Sequence, residues 1–235
     1  MTATARALDQ LVVPGGMAAQ RTVQLHPALT TLFPQGLVRG SSVACQGAAA
    51  VSMAFVLAAA PTQADAWVGV AGLPTFGAQA CRQMGTRLER VVLVADHPDG
   101  LDDDSTWAPV LGALIDGFDI VVFGAAHQIR AGTARRVQTR VQTRGAVLVL
   151  VGDPGPFSTD VRVSTQAVWD GLGDGAGHLR DRTVQVTVDG RRIPRARHDR
   201  LAMPGPSGSV ESLTSGTATS GTASPAGAVR WLTPA

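Results

Sequence analysis

The chain has 235 residues, of which 45% are hydrophobic, and its formal net charge at pH 7 is +2. This length suits one domain, or one domain with a tail, and the hydrophobic fraction is enough for a sizeable core. The small net charge excludes a protein that binds polyanions with its whole surface, so such a contact would need a local basic patch. All 20 cationic side chains are arginine, because the chain contains no lysine.

Neither the cysteines nor the N-terminus indicates a secreted or membrane protein. The two cysteines, Cys45 and Cys81, have no spacing that suits a zinc site or a disulfide scaffold. Residues 1–16 lack the charged lead and long apolar run of a signal peptide, and no apolar run reaches the length of a membrane span. We expect a soluble, cytoplasmic protein that contacts no membrane.

Residues 36–72 predict a strand–helix–strand unit. An apolar run at residues 42–45 is followed by Gly47, a helix is predicted over residues 51–60 with its end near Pro61, and a second apolar run covers residues 67–71. This order is typical of the first unit of a nucleotide-binding α/β domain.

The residues after Gly47 do not carry the chemistry of a phosphate loop. Such a loop needs G-x-x-x-x-G-K-[ST], because glycine amides, a lysine and a hydroxyl hold the phosphates and Mg²⁺. An ungapped match places Ser52 at the second glycine, Met53 at the lysine and Ala54 at the hydroxyl residue. We therefore predict a degenerate phosphate loop, no cofactor, no metal and no catalytic residue.

The rest of the chain predicts alternating helices and strands, followed by strands alone. Helices are expected at residues 75–86, 106–116 and 133–144, and strands at residues 91–95, 119–123 and 146–151. Residues 161–163, 166–169 and 183–188 predict antiparallel strands at a sheet edge. The predicted fold class is α/β, with a sheet that is parallel in its centre, antiparallel edge strands, and helices on both faces.

The predicted domain organisation has three parts. Residues 1–25 form an N-terminal segment, residues 26–203 form the core domain, and residues 204–235 form a disordered tail rich in Gly, Ser, Thr and Pro. Trp231 near the end of this tail is either an anchor for a partner pocket or part of a free end. Trp67, Trp107 and Trp169 are expected in the core, because each lies in a predicted element.

The order of GLVRG, strand, glycine, helix and strand resembles the start of the RecA ATPase core. The stretch GLPTFGAQACRQMGTRLERVVLV and the later W-x-GLG-x-G and LR-x-R patterns resemble more closely the actinobacterial ImuA-prime group of RecA-like proteins. This resemblance covers residues 26–192. It implies a RecA-like core in which Gly124 replaces the acidic residue of RecA and Leu73 its catalytic Glu. It also implies short connections, at residues 125–132 and 152–159, in place of the DNA-binding loops of RecA.

The ImuA-prime resemblance implies an accessory protein of DNA-damage-induced (SOS) mutagenesis and translesion synthesis. The implied partners are ImuB and, through it, an error-prone C-family polymerase and the sliding clamp, with RecA as a further candidate. It implies association with the nucleoid after DNA damage. Direct contact with DNA stays open. Two alternatives also stay open: a DNA-binding or recombinase-modulating RecA-like protein, and a divergent ATPase that uses backbone amides and Arg39.

Two groups of arginines are candidates for binding a partner or DNA. Arg136, Arg140 and Arg144 are four residues apart, so they form one stripe on a helix, where the alternative is an ordinary solvated face. The second group lies beside the predicted tail, where the alternative is solubility; its members are Arg191, Arg192, Arg195, Arg197 and Arg200. Contact with an acidic protein surface or with phosphate is the functional hypothesis for both groups.

Overall fold

A computed structural model describes residues 22–94, 103–173 and 176–214, without the side chains of residues 172–180. Trp231, most of the predicted N-terminal segment and residues 215–235 of the predicted tail lie outside the described residues. The helices are α1 (Ala50–Gln63), α2 (Ala78–Gln83), α3 (Asp104–Gly117) and α4 (Ala131–Arg144). The strands are β1 (Thr22–Val23), β2 (Leu37–Val38), β3 (Ser42–Gly47), β4 (Val68–Ala71), β5 (Val91–Val94), β6 (Ile120–Phe123), β7 (Val147–Val151), β8 (Val161–Gly173), β9 (Ala176–Asp189), β10 (Arg197–Ala202) and β11 (Glu211–Ser212).

The main sheet has nine strands in the order β11-β10-β9-β8-β3-β7-β6-β4-β5. Pairing is parallel from β8 through β3 to β5, and antiparallel from β8 to β11. Strands β1 and β2 form a separate antiparallel pair. The predicted fold class is confirmed, because the sheet has a parallel centre and antiparallel edge strands, consistent with a RecA-like α/β fold.

Two hydrophobic clusters cover the two faces of the sheet. On one face, α1 contributes Phe55 and Leu57 to a cluster that includes Val43 and Val149. On the other face, α3 contributes Leu111 and α4 contributes Val137 to a cluster that includes Leu148 and Leu150. The short apolar strands are buried on both sides, as a parallel sheet between helix layers requires.

Helix α1 ends near Pro61, as predicted, but it continues through this proline to Gln63. Proline lacks the N–H donor and its ring crowds the carbonyl oxygen four residues earlier, but Pro61 lies only two residues before the end of the helix. The hydroxyl of the buried Thr62 donates to Ala59 O at 2.7 Å and accepts from Arg87 N at 3.0 Å. The bond from Arg87 ties this last turn to the segment between α2 and β5.

The ordered core extends past residue 203, the predicted boundary of the tail. Strand β11 pairs with the end of β10, and Val210 is buried. The carboxylate of Glu211 accepts a hydrogen bond from Ser207 N at 2.9 Å, which closes the small loop before β11. The average composition of residues 204–214 is that of a disordered segment, and it therefore predicts a tail. One buried valine and one carboxylate that closes a loop do not change that average.

None of the helices in the described ranges combines the length and apolarity needed to cross a lipid bilayer.

Candidate functional site

The connection between β3 and α1 is the place where a phosphate loop would lie. Strand β3 includes Gly47 and helix α1 begins at Ala50, so only Ala48 and Ala49 lie between them. A phosphate loop needs a longer glycine-rich turn whose amides point at the ligand. Here Ala48 N donates to Thr165 O at 3.3 Å and Ala49 N donates to Thr165 Oγ1 at 3.0 Å. The amides of the connection are therefore bonded to the protein itself.

Gly47 serves the close approach of β8. Its φ is +91°, and a Cβ at this position would lie 2.0 Å from Thr165 O. Thr165 is buried and its hydroxyl donates to Gln46 O at 2.7 Å. The register pairs Gly47 with Thr165. Glycine is required here by backbone packing between strands, a sufficient reason that involves no phosphate.

The three positions aligned with the rest of the phosphate loop lie on the first turns of α1. Met53 and Ala54 have 0% exposure and belong to the hydrophobic core. Ser52 is half-buried, and its Oγ accepts a hydrogen bond from Arg182 Nη2 at 3.0 Å. The side chain at the lysine position therefore points into the protein.

The carboxyl ends of β4 and β6 are also closed by packing. A Cβ at Gly124 would lie 2.3 Å from Gly72 O, so no larger side chain fits at the position where RecA has an acid. Leu73 is buried in the core cluster beside α1. The arrangement provides no carboxylate at either place.

The connections that match the DNA-binding loops of RecA pack against the domain. Ile129 in the first and Phe157 in the second are both buried in the cluster that contains α3 and α4. A Cβ at Gly155 would lie 2.6 Å from Ala126 O, so the two connections contact each other closely. These segments lie on the surface of the domain as packed turns.

Arg39 lies before the amino end of β3, whereas Gly47 lies at the carboxyl end of the same strand. Its Nη1 donates to Asp119 Oδ1 at 3.1 Å, and Asp119 Oδ2 accepts from Trp67 N at 3.0 Å. Asp119 immediately precedes β6, so this pair lies at the amino ends of the parallel strands. Arg39 therefore lies at the other end of the strands from the nucleotide site that the divergent-ATPase hypothesis would need beside Gly47.

Arg182 is the cationic group beside the degenerate loop, and sequence reasoning did not select it. It lies on β9 directly opposite Trp169 of β8, with its guanidinium carbon 5.2 Å from the centre of the indole ring. Its Nε donates to Met203 O at 3.2 Å in addition to the bond to Ser52. Burial lowers the pKa of Arg182 below its ordinary value. The alternation of Arg182 with Val184, Val186 and Val188 was the available signal, because it places one charge in an inward-facing apolar row.

A cavity of about 220 Å³ lies next to Arg182. Its walls come from α1, α2, the β8–β9 pair and the loop after β10, and include Met84, Met203, Pro204 and Val210. Trp169 also lines this cavity; it was expected in the core, and that was wrong, because 44% of it is exposed. The pairing of β8 with β3 ends at Thr165, four residues before Trp169.

The stripe on α4 forms ion pairs across to α3. Asp116 Oδ1 accepts from Arg140 Nε at 2.7 Å and from Arg144 Nε at 2.9 Å, while Arg140 Nη2 also bonds to Asp116 Oδ2. The hydrogen bond from Arg140 is the main cause that holds the pKa of Asp116 below its ordinary value. Arg136 donates to Thr133 Oγ1 at 2.9 Å. Two of the three arginines therefore pair with one carboxylate, which offsets one of their two charges.

Most of the second arginine group is also used inside the domain. Arg192 Nε donates to Asp160 Oδ1 at 3.2 Å, Arg191 lies 3.5 Å from the same oxygen, and Arg197 donates to Leu32 O at 3.0 Å. Asp160 is buried and also accepts from Ser42 N. Arg195 and Arg200 are exposed and form no side-chain ion pair with the described residues.

Residues 31–156 match the sequence model of a family described as the MT3502 N-terminal domain, which is more than half of the chain. The chain belongs to the MT3502 N-terminal domain family. In this chain the matched segment contains α1–α4 and the strands from β2 to β7. The MT3502 N-terminal domain therefore includes the closed phosphate-loop position, while Arg182 and Trp169 lie on the strands that follow it.

A relative from Mycobacterium tuberculosis, titled "Uncharacterized protein Rv3395c", is 31% identical over 149 residues. The aligned part covers 63% of this chain and 66% of the relative, so the chain spans slightly less than two thirds of the length of that protein.

Proposed function

We propose that this protein is a non-catalytic, RecA-like adaptor of DNA-damage-induced mutagenesis. The observation that carries the proposal is the two-residue connection between β3 and α1, whose amides are bonded to Thr165. Phosphoryl transfer depends on a cation, a metal-binding hydroxyl and a positioned acid. Met53, Ala54 and Gly124 stand where those groups would be needed. The fold is kept while the site of chemistry is packed with the protein's own atoms.

The resemblance to the ImuA-prime group supplies the proposed partners. The adaptor binds ImuB and thereby joins a complex with the error-prone C-family polymerase and the sliding clamp, in the cytoplasm and at the nucleoid after damage. RecA is a further proposed partner. The arginine groups are less suited to a general DNA-binding role, because Arg140, Arg144, Arg191, Arg192 and Arg197 bond to the protein itself.

Size-exclusion chromatography of the full chain mixed with purified ImuB tests the adaptor proposal. We expect one co-eluting complex at moderate salt, with and without Mg-ATP in the buffer, because no step of assembly uses the nucleotide. Separate elution of the two proteins at low salt would contradict the proposal. A complex that forms only with Mg-ATP would favour the divergent ATPase instead.

A further inference from the structure

We propose that the cavity beside Trp169 and Arg182 is a docking site for a partner peptide that carries a carboxylate next to an apolar side chain. This inference rests on the proposed adaptor function, because it takes the peptide to be part of a partner protein.

The charge of Arg182 indicates the carboxylate. Both acceptors of its hydrogen bonds, Ser52 Oγ and Met203 O, are neutral. No carboxylate among the residues that the structure describes forms an ion pair with it. Three other half-buried arginines have an acid, since Arg39 pairs with Asp119 and both Arg87 and Arg90 pair with Asp65. Arg197, like Arg182, bonds to a carbonyl oxygen instead. A partly desolvated guanidinium without a counter-ion favours an incoming anion, and its planar fork suits a carboxylate.

The walls of the cavity indicate the apolar neighbour. Methionine, proline and valine side chains line it, and the exposed indole of Trp169 forms one side; the wall residues in question are Met84, Met203, Pro204 and Val210. Buried tryptophan and arginine contacts dominate the energy of many protein interfaces. Flexible methionines adapt to the shape of an inserted side chain. An apolar side chain next to the carboxylate of the peptide would therefore fill the part of the cavity that is not occupied by the contact with Arg182.

The size of the cavity favours a peptide side chain over a nucleotide. Sites for whole small-molecule ligands commonly have about 300–1,000 Å³, and this cavity has about 220 Å³. It also lies at the root of the β8–β9 ribbon, past the last β3 pairing at Thr165 and the last β10 pairing at Thr183. An extended segment of a partner can reach the cavity along the part of β8 and β9 that pairs with neither β3 nor β10.

A random heptapeptide library displayed on phage, selected on the full chain, tests the docking site. We expect enriched peptides with Asp or Glu next to Leu, Phe or Trp. Synthetic copies should bind Arg182→Gln at least tenfold more weakly, and the Asp→Asn or Glu→Gln version of each peptide should bind the unchanged protein at least tenfold more weakly. Arg135→Gln is the matched control and should bind like the unchanged protein, because Arg135 is exposed, lies on α4 and is not among the residues that line the cavity.

Three outcomes would overturn the docking site. These are enrichment of peptides without an acid, equal binding by Arg182→Gln, and competition by inorganic phosphate or ATP as strong as that by the peptide. The peptide change leaves the protein untouched, so it stays decisive if Arg182→Gln fails to fold. Co-elution with ImuB separates the two proposals: selected peptides without an ImuB complex would remove the adaptor function alone, and an ImuB complex without selected peptides would remove the docking site alone.

Discussion

Gly124 gives the sharpest residue-level prediction, because it faces the backbone of the neighbouring strand. Gly124→Ala places a methyl group 2.3 Å from Gly72 O, and relief of such a clash typically costs about 1–3 kcal/mol of unfolding free energy. Gly132→Ala is the matched control, since a Cβ there meets nothing within 4 Å and the site lies in α4. We expect the control to gain about 0.5–1 kcal/mol. Urea unfolding measures both, and equal stability of the two variants would contradict the packing described for Gly124.

The cysteines give a second prediction at the same scale. Burial raises the pKa of Cys45 and Cys81 to about 12, from an ordinary 9.0. Because the thiolate is the reactive form, both thiols of the folded protein should react about 1,000-fold more slowly than in denaturant near neutral pH. Unfolded thiols ionise above pH 9 while the folded ones stay protonated, so the unfolding free energy should fall as the pH rises from 9 towards 12. Rapid labelling of either thiol in the native protein, followed with a chromogenic disulfide reagent, would show that the burial is incomplete.

Some features of single residues could be predicted because they depend only on residue identity, and others could not because they depend on how distant segments pair. The loss of phosphate-loop chemistry at Met53 and Ala54 was predictable, because it needs only the identity of the residues. The pairing of Trp169 with Arg182 was not predictable, since it depends on the register of two strands. Arg140 and Arg144 had no acidic neighbour along their own helix, and their partner Asp116 comes from another element.

At the scale of elements, the contact between α3 and α4 rests partly on Asp116. Asp116→Asn removes the charge that holds Arg140 and Arg144, so we expect a lower midpoint of thermal unfolding, by less than Gly124→Ala lowers it. The difference from the unchanged protein should shrink in high salt, because the groups are solvent-accessible. A difference that does not respond to salt would show that packing rather than charge is lost.

The same carboxylate has a pH dependence of known sign. Its pKa in the folded protein is lowered, so its contribution to stability is present above the ordinary value of 3.8 and is lost as the pH falls through the folded pKa. The difference between Asp116→Asn and the unchanged protein should therefore disappear in acid. Thermal unfolding followed by circular dichroism over a pH series checks this, and a difference that persists in strong acid would contradict the assignment.

The parallel strands were predicted well, because each is an apolar run buried on both faces. Strands β8 and β9 were predicted as three shorter pieces, and they form one long hairpin. Their ends lack apolar alternation, and among the described strands none pairs with β8 on its β3 side beyond Thr165. Period-2 alternation identifies a strand only where one of its two faces is covered.

At the scale of the whole molecule, the parallel and antiparallel halves of the sheet contribute different groups to the phosphate-loop position. The parallel half, most of which the MT3502 N-terminal domain covers, contains the connection between β3 and α1. The antiparallel half supplies Thr165, which occupies the amides of that connection, and Arg182, which lies beside it. The site is therefore closed by the cooperation of both halves, a long-range arrangement that no local sequence signal reports.

The central claim is that the protein's own groups occupy the place of a nucleotide. Titration calorimetry of Mg-ATP into the full chain, alone and mixed with ImuB, tests it most directly. The account predicts only heat of dilution in both cells, because the amides of Ala48 and Ala49 bond to Thr165. The lysine, hydroxyl and acid of a phosphate site are also replaced, by Met53, Ala54 and Gly124. A saturable heat with one nucleotide per chain in either cell would contradict it.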